Sequence, residues 1–148
     1  MGKIGDILNH KGSTVHTIGA NDMVLDAVQK MVSENVGSLL VIENEEIAGI
    51  VTERDYLREV IVRGRTSKQT PVREIMTAQN QIVCVSSTCS LEEGMAIMTD
   101  RRIRHLPVLD EGRLVGIVSI GDIVKQLSRE QQAHIQYLTD YITGKYPA

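Results

Sequence analysis

Apolar residues fall into two recurrent spacings along this chain. Val24, Ala27, Val28, Met31 and Val32 recur every three or four positions, as do Leu91, Met95 and Met98. Each set predicts an amphipathic helix with one buried stripe. Ahead of these helices, residues 15–18 and 82–85 are brief β-branched runs that end in polar turn residues able to open a helix. Behind them, SLLVIE and IAGIVTE flank the acidic turn at Asn44 and Glu45, while HLPVLD and LVGIVS flank Asp110, Glu111 and Gly112. Both pairs read as β-hairpins. Residues 53–63 and 119–127 then predict closing helices, with Thr52 and Ser119 at or near their starts.

The order strand, helix, strand, strand, helix therefore occurs twice. A shift of 67 positions aligns residues 15–60 with 82–127 without a gap, and Met31/Met98, Leu39/Leu106, Val41/Val108, Gly49/Gly116, Ile50/Ile117, Val51/Val118 and Asp55/Asp122 are identical. Nearly every apolar position also meets an apolar one, so the chain holds two copies of one unit. Neither copy is long enough to be comfortable alone, and an α+β fold of two β-α-β-β-α units sharing a core is expected. The expected boundaries are 1–66 for the first unit with the N-terminal segment, and 67–127 for linker and second unit. Residues 64–71 (GRTSKQTP) read as a short exposed connection. Residues 128–148 form a C-terminal extension in which Ile135, Leu138 and Ile142 make an amphipathic stripe, ending at Gly144. The stripe packs either on the chain itself or on a second copy.

Composition narrows the function. A net charge of −3 and the absence of Phe and Trp leave no overall positive field and few stacking platforms, which argues against nucleic acid as a partner. No apolar run reaches the length of a membrane span. Cys84 and Cys89 are too few for a disulfide scaffold and have no partners at zinc spacing, so no metal is expected and a cytoplasmic setting fits. His10, His16, His105 and His134 follow no catalytic pattern. An enzyme is not expected.

The segments GIVTERD (49–55) and GIVSIGD (116–122) share Gly-apolar-apolar-Thr/Ser-x-x-Asp. With RHLPVLDEG ahead of the second copy, the chain resembles a tandem pair of cystathionine-β-synthase (CBS) domains, the Bateman module, from about residue 3 to 127. The resemblance implies pseudo-twofold packing with two clefts that receive adenine nucleotides, AMP or NAD foremost, and often a disk-like homodimer. It implies that Ser119 and Asp122 hold phosphate and ribose, that Arg104 and His105 hold phosphates, and that Val36, Gly37 and Ser38 face the adenine. The other cleft would use Thr52, Arg54 and Asp55, approached by Ile103 and Arg104.

The motif has a physical reading beside this one. Asp three residues after Thr or Ser puts hydroxyl and carboxylate on one side of a helix N-terminus. The carboxylate suits the paired ribose hydroxyls, and the free N–H groups suit phosphate. The same residues are equally able to act only as helix caps. Arg104 and His105 stand where the first copy has Gly37 and Ser38, so the second motif offers donors the first lacks. Gly94 stands where the first copy has Ala27, a change that would alter the wall of the second-copy cleft. The reading is a regulatory nucleotide-binding module that signals to an unidentified protein target. The alternative is a structural or interaction dimer without ligand.

Overall fold

The computed structural model describes residues 2–143. The helices are α1 (Ile4–Lys11), α2 (Val24–Glu34), α3 (Glu53–Tyr56), α4 (Leu91–Arg101) and α5 (Ile120–Ile142). The strands are β1 (Thr17–Gly19), β2 (Ser38–Glu43), β3 (Glu46–Thr52), β4 (Thr77–Ala78), β5 (His105–Asp110) and β6 (Arg113–Ser119). The fold is α+β: the first copy runs β-α-β-β-α, and the second repeats the order without a full leading strand.

The backbone repeats with the spacing of the sequence. β2 pairs with β3 through Ser38↔Thr52 and Val41↔Gly49, and β5 pairs with β6 through His105↔Ser119 and Val108↔Gly116. Each hairpin carries its irregularity at the same place, after Val41 and after Val108. α2 and α4 both end in a left-handed residue, Asn35 and Arg102. The copies diverge before the hairpins. β1 runs parallel to β2, whereas the expected strand at 82–85 shrinks to one bridge, Val85↔Val108. Proline explains the loss. Leu40 N–H donates to His16 C=O at 3.0 Å, and its counterpart Pro107 has no N–H to give.

The closing helix of the first copy also departs from expectation. α3 is only four residues long and passes into a π-helical turn at Leu57–Ile61. This turn buries Val60 and leaves Leu57 and Ile61 exposed, as is Val62 just after it. α5, by contrast, continues through the predicted tail to Ile142. The expected stop at Gly144 lies outside the described residues. Among those residues, no helix is long and apolar enough to cross a membrane.

Two compact units result, Thr14–Val83 and Met1–Ser13 with Cys84–Ala148. The division differs from the expected boundaries, which gave the N-terminal segment to the first unit and 67–83 to the second. Backbone hydrogen bonds show why. In the 14–83 unit, Val72 N–H donates to Asp22 C=O at 2.8 Å and Arg73 N–H to Ala20 C=O at 3.0 Å. In the 84–148 unit, Ile4 N–H donates to Cys89 C=O at 2.9 Å and Gly5 N–H to Ser87 C=O at 2.8 Å. PVREIM (71–76) and KIGDIL (3–8) thus play one role, with apolar residues at matching places and a shift of 68 instead of 67. The presumed linker is part of this arrangement. Thr70 and Ser67 carbonyls accept from Val24 and Leu25 N–H at 2.8 and 3.0 Å, and Thr70 is buried. They satisfy donors that the first turn of α2 leaves open.

Two glycines adapt the units to these segments. A Cβ on Gly49 would lie 2.3 Å from the Thr77 carbonyl oxygen, and one on Gly116 would lie 2.6 Å from Leu8 Cδ2. Gly94, where the first copy has Ala27, leaves room for Ile4: a Cβ there would lie 3.0 Å from Ile4 Cδ1. The core of the 14–83 unit includes Val24, Met31, Leu39, Val41, Val51, Val72 and Ile75. Ile4, Ile7, Leu91, Met98, Leu106, Val108 and Val118 are the buried counterparts in the other.

Candidate functional site

Each Thr/Ser-x-x-Asp motif sits where the second strand of a hairpin becomes a helix. Thr52 N–H donates to Asp55 Oδ2 at 2.9 Å, and Asp55 N–H donates back to Thr52 Oγ1 at 3.2 Å. The second motif repeats this: Ser119 N–H to Asp122 Oδ2 at 2.8 Å, and Asp122 N–H to Ser119 Oγ at 3.1 Å. Both are reciprocal capping boxes, so the capping role is realised in full. It engages Oδ2 of each carboxylate and keeps the group at the helix N-terminus, where the dipole favours an anion.

The segment before each hairpin borders its motif. Glu53 N–H donates to Gly37 C=O at 3.1 Å, and Ile120 N–H donates to Arg104 C=O at 2.8 Å. Val36, Gly37 and Ser38 therefore stand beside Thr52, Arg54 and Asp55, while Ile103, Arg104 and His105 stand beside Ser119 and Asp122. Ser38 is buried, whereas Arg54 and Arg104 are exposed. Beside the first motif, a cleft of about 520 Å³ is lined by Val28, Met31, Val32, Asn35, Val36, Gly37, Glu53, Tyr56 and Leu57. It takes in Val36 and Gly37 but not the Thr52/Asp55 pair.

The motif carboxylates are not electrostatically equivalent. Burial is the largest influence on Asp55 and raises its pKa above the ordinary aspartate value, against hydrogen bonds at Thr52 and the charge of Arg58. Burial also pushes Asp122 up, but a hydrogen bond from Lys11, the cap at Ser119 and the Lys11 charge outweigh it, and its pKa lies below the usual value. The Lys11 ammonium is 2.8 Å from Asp122 Oδ2 and donates to Ile117 C=O at 2.9 Å. Sequence reading missed Lys11. The available signal was the likeness of KIGDIL to PVREIM, which marks the N-terminal segment as part of a repeat unit.

His105 is half-buried beside the second motif. Burial lowers its pKa most, Lys11 and Arg104 act in the same direction, and Asp122 opposes them. The lowered pKa favours the neutral imidazole, which offers phosphate a single N–H donor. Its buried Nδ1 has no hydrogen-bond partner among the described residues.

Comparison with known proteins agrees with this architecture. The family model for the CBS domain matches residues 4–62 and 72–129, and these spans begin at the two segments related by the 68-residue shift. A mitochondrial CBS domain-containing protein of Arabidopsis thaliana, CBSX3, is 42% identical over 97% of this chain and 73% of its own length. A solved CBS-domain protein of Burkholderia ambifaria is 48% identical, covers 87% of this chain and 96% of its own, and has a TM-score of 0.82. A hexameric CBS-CP12 protein from bloom-forming cyanobacteria is 31% identical with a TM-score of 0.72, over 84% of this chain and 70% of its own. With two family matches, a repeated capping-box motif and a repeated hairpin register, the chain belongs to the CBS-domain family as a tandem pair.

Proposed function

We propose that this CBS pair is a regulatory module that binds an adenine nucleotide of the AMP or NAD class and reports it to a protein target through conformation or assembly. The observation that carries the reading is the second motif, where a capping-box carboxylate, the exposed Arg104 and the imidazole of His105 border one helix N-terminus. Ribose hydroxyls suit Asp122, and phosphate suits the Arg104 fork and the helix N-terminus. Thr52, Arg54 and Asp55 form the first motif, the weaker of the two, with Val36, Gly37 and Ser38 at its edge. Signalling requires that the nucleotide bind one arrangement of the protein better than another. The proposed role is binding, not catalysis, and no metal is assigned. The proposed setting is the cytoplasm, supported by the unpaired thiols of Cys84 and Cys89.

A homodimer is the proposed assembly. α5 leaves Ile135, Leu138 and Ile142 exposed, and the cyanobacterial relative is itself an oligomer. An interaction dimer without ligand is the competing reading, favoured by the capping work Asp55 and Asp122 already do.

The test begins with mass spectrometry of small molecules released from the native protein, followed by calorimetry with AMP, NAD and adenosine. Asp122→Asn keeps a capping side chain but removes the charge. It is expected to weaken AMP binding about tenfold or more, since hydrogen bonds to charged groups contribute roughly 1.5–3 kcal/mol. Asp55→Asn is expected to weaken it less. Absence of both released nucleotide and binding heat would leave the ligand-free dimer as the function.

A further inference from the structure

Lys11 occupies an unusual place for a cation. It stands on the last turn of α1, yet its ammonium lies against the first turn of the 23-residue α5, at the positive end of that helix dipole. Two acceptors hold it there, Asp122 Oδ2 and the Ile117 carbonyl oxygen. Asp122 Oδ2 also accepts from Ser119 N–H, so the lysine sits on the carboxylate assigned above to ribose. The exposed Arg104 has no ion pair among the described residues, whereas Lys11 is paired with Asp122. The first motif has no counterpart, because the residue 68 positions after Lys11 is Gln79.

We infer that Lys11 exchanges Asp122 for the phosphate of a phosphorylated nucleoside, whose ribose hydroxyls take its place on the carboxylate, and that this exchange makes the second motif prefer nucleotide over nucleoside. The inference rests on the nucleotide reading proposed above. Lys11 and Asp122 side chains are partly exposed, at 39% and 24%, and a lysine's four-carbon stem moves its charge several ångströms without moving the backbone. A nucleoside that takes Asp122 deprives the ammonium of its counter-ion and returns nothing. A nucleotide supplies a stronger anion in the same place, where the helix N-terminus also favours it. Because Lys11 ends α1, the exchange also transmits ligand occupancy to the N-terminal segment.

Calorimetry with AMP and adenosine on the full chain tests this, in an Asp55→Asn background so that the second motif dominates the heat. Lys11→Met is expected to lower the AMP-to-adenosine affinity ratio about tenfold or more, by weakening AMP and sparing or strengthening adenosine. Lys11→Arg, which keeps the charge, is expected to retain most of the preference. If Lys11→Met fails to fold, the lysine side-chain NMR signals of the unsubstituted chain serve instead, and those of Lys11 are expected to move as AMP is added. An unchanged ratio, or unmoved Lys11 signals while AMP binds, overturns the exchange and leaves the nucleotide reading standing. Failure of the unsubstituted chain to bind either compound overturns both.

Discussion

Neighbours brought together by the fold decide the charge of His105. In the unfolded chain it titrates near its ordinary 6.5, while in the folded chain burial first, then Lys11 and Arg104, lower its pKa. Between the lowered value and 6.5 the unfolded chain binds more protons, so stability is full above about pH 6.5 and falls as pH drops below it. Urea midpoints at about pH 7.5 and about pH 5.5 check this, and His105→Asn is expected to show a smaller acid loss than the unsubstituted chain. An equal loss in both would assign the pH sensitivity to other groups. Asp122 works in a lower range. Its depressed pKa contributes stability that is present above the unfolded carboxylate value and lost as pH falls through the folded one.

At the scale of elements, the two hairpin turns solve one geometric problem with different residues. Asn44 and Glu45 have φ of 53° and 64°, and Glu111 and Gly112 have 52° and 76°. Two consecutive left-handed residues match the twist of a two-residue hairpin turn, and a non-glycine residue there costs roughly 1–2 kcal/mol. Gly112→Ala is therefore expected to lower stability by about 1 kcal/mol, and Glu45→Gly to raise it by a smaller amount, both read from denaturation midpoints. The α5 extension makes a different prediction. Ile142 is 81% exposed and Ile135 61%, so the outer face of the helix has apolar surface to bury. Ending the chain after Leu127 is expected to shift the mass measured by light scattering from that of the proposed dimer to that of a monomer. An unchanged mass would show that assembly uses another surface.

For the whole molecule, the main consequence is that sequence order and compact units do not coincide. α1 belongs with α4 to α5, and the segment after α3 belongs with β1 to β3. Gly116→Ala would force a Cβ into Leu8. Hydrogen exchange is expected to show lost protection in α1 and β6, while amides of β2 and β3 keep theirs. Uniform loss across both units would mean that they unfold as one.

The sequence by itself determined the duplication, the hairpins, α2 and α4, and the placing of Thr52, Asp55, Ser119 and Asp122 at helix starts. Those features are written in consecutive residues, as periodicity within one element and as cap residues beside their own backbone. The tertiary structure decided what completes each unit. The six-residue segments KIGDIL and PVREIM share only Ile7/Ile75 and form different elements, a helix in one case and a 3₁₀ turn leading to β4 in the other. It also decided how the two motif carboxylates differ. The local caps of Asp55 and Asp122 are alike, but only Asp122 meets a lysine, one that lies 111 residues away in sequence. No window of neighbouring residues contains that pairing, because an ion pair depends on distance in space, and folding alone sets it.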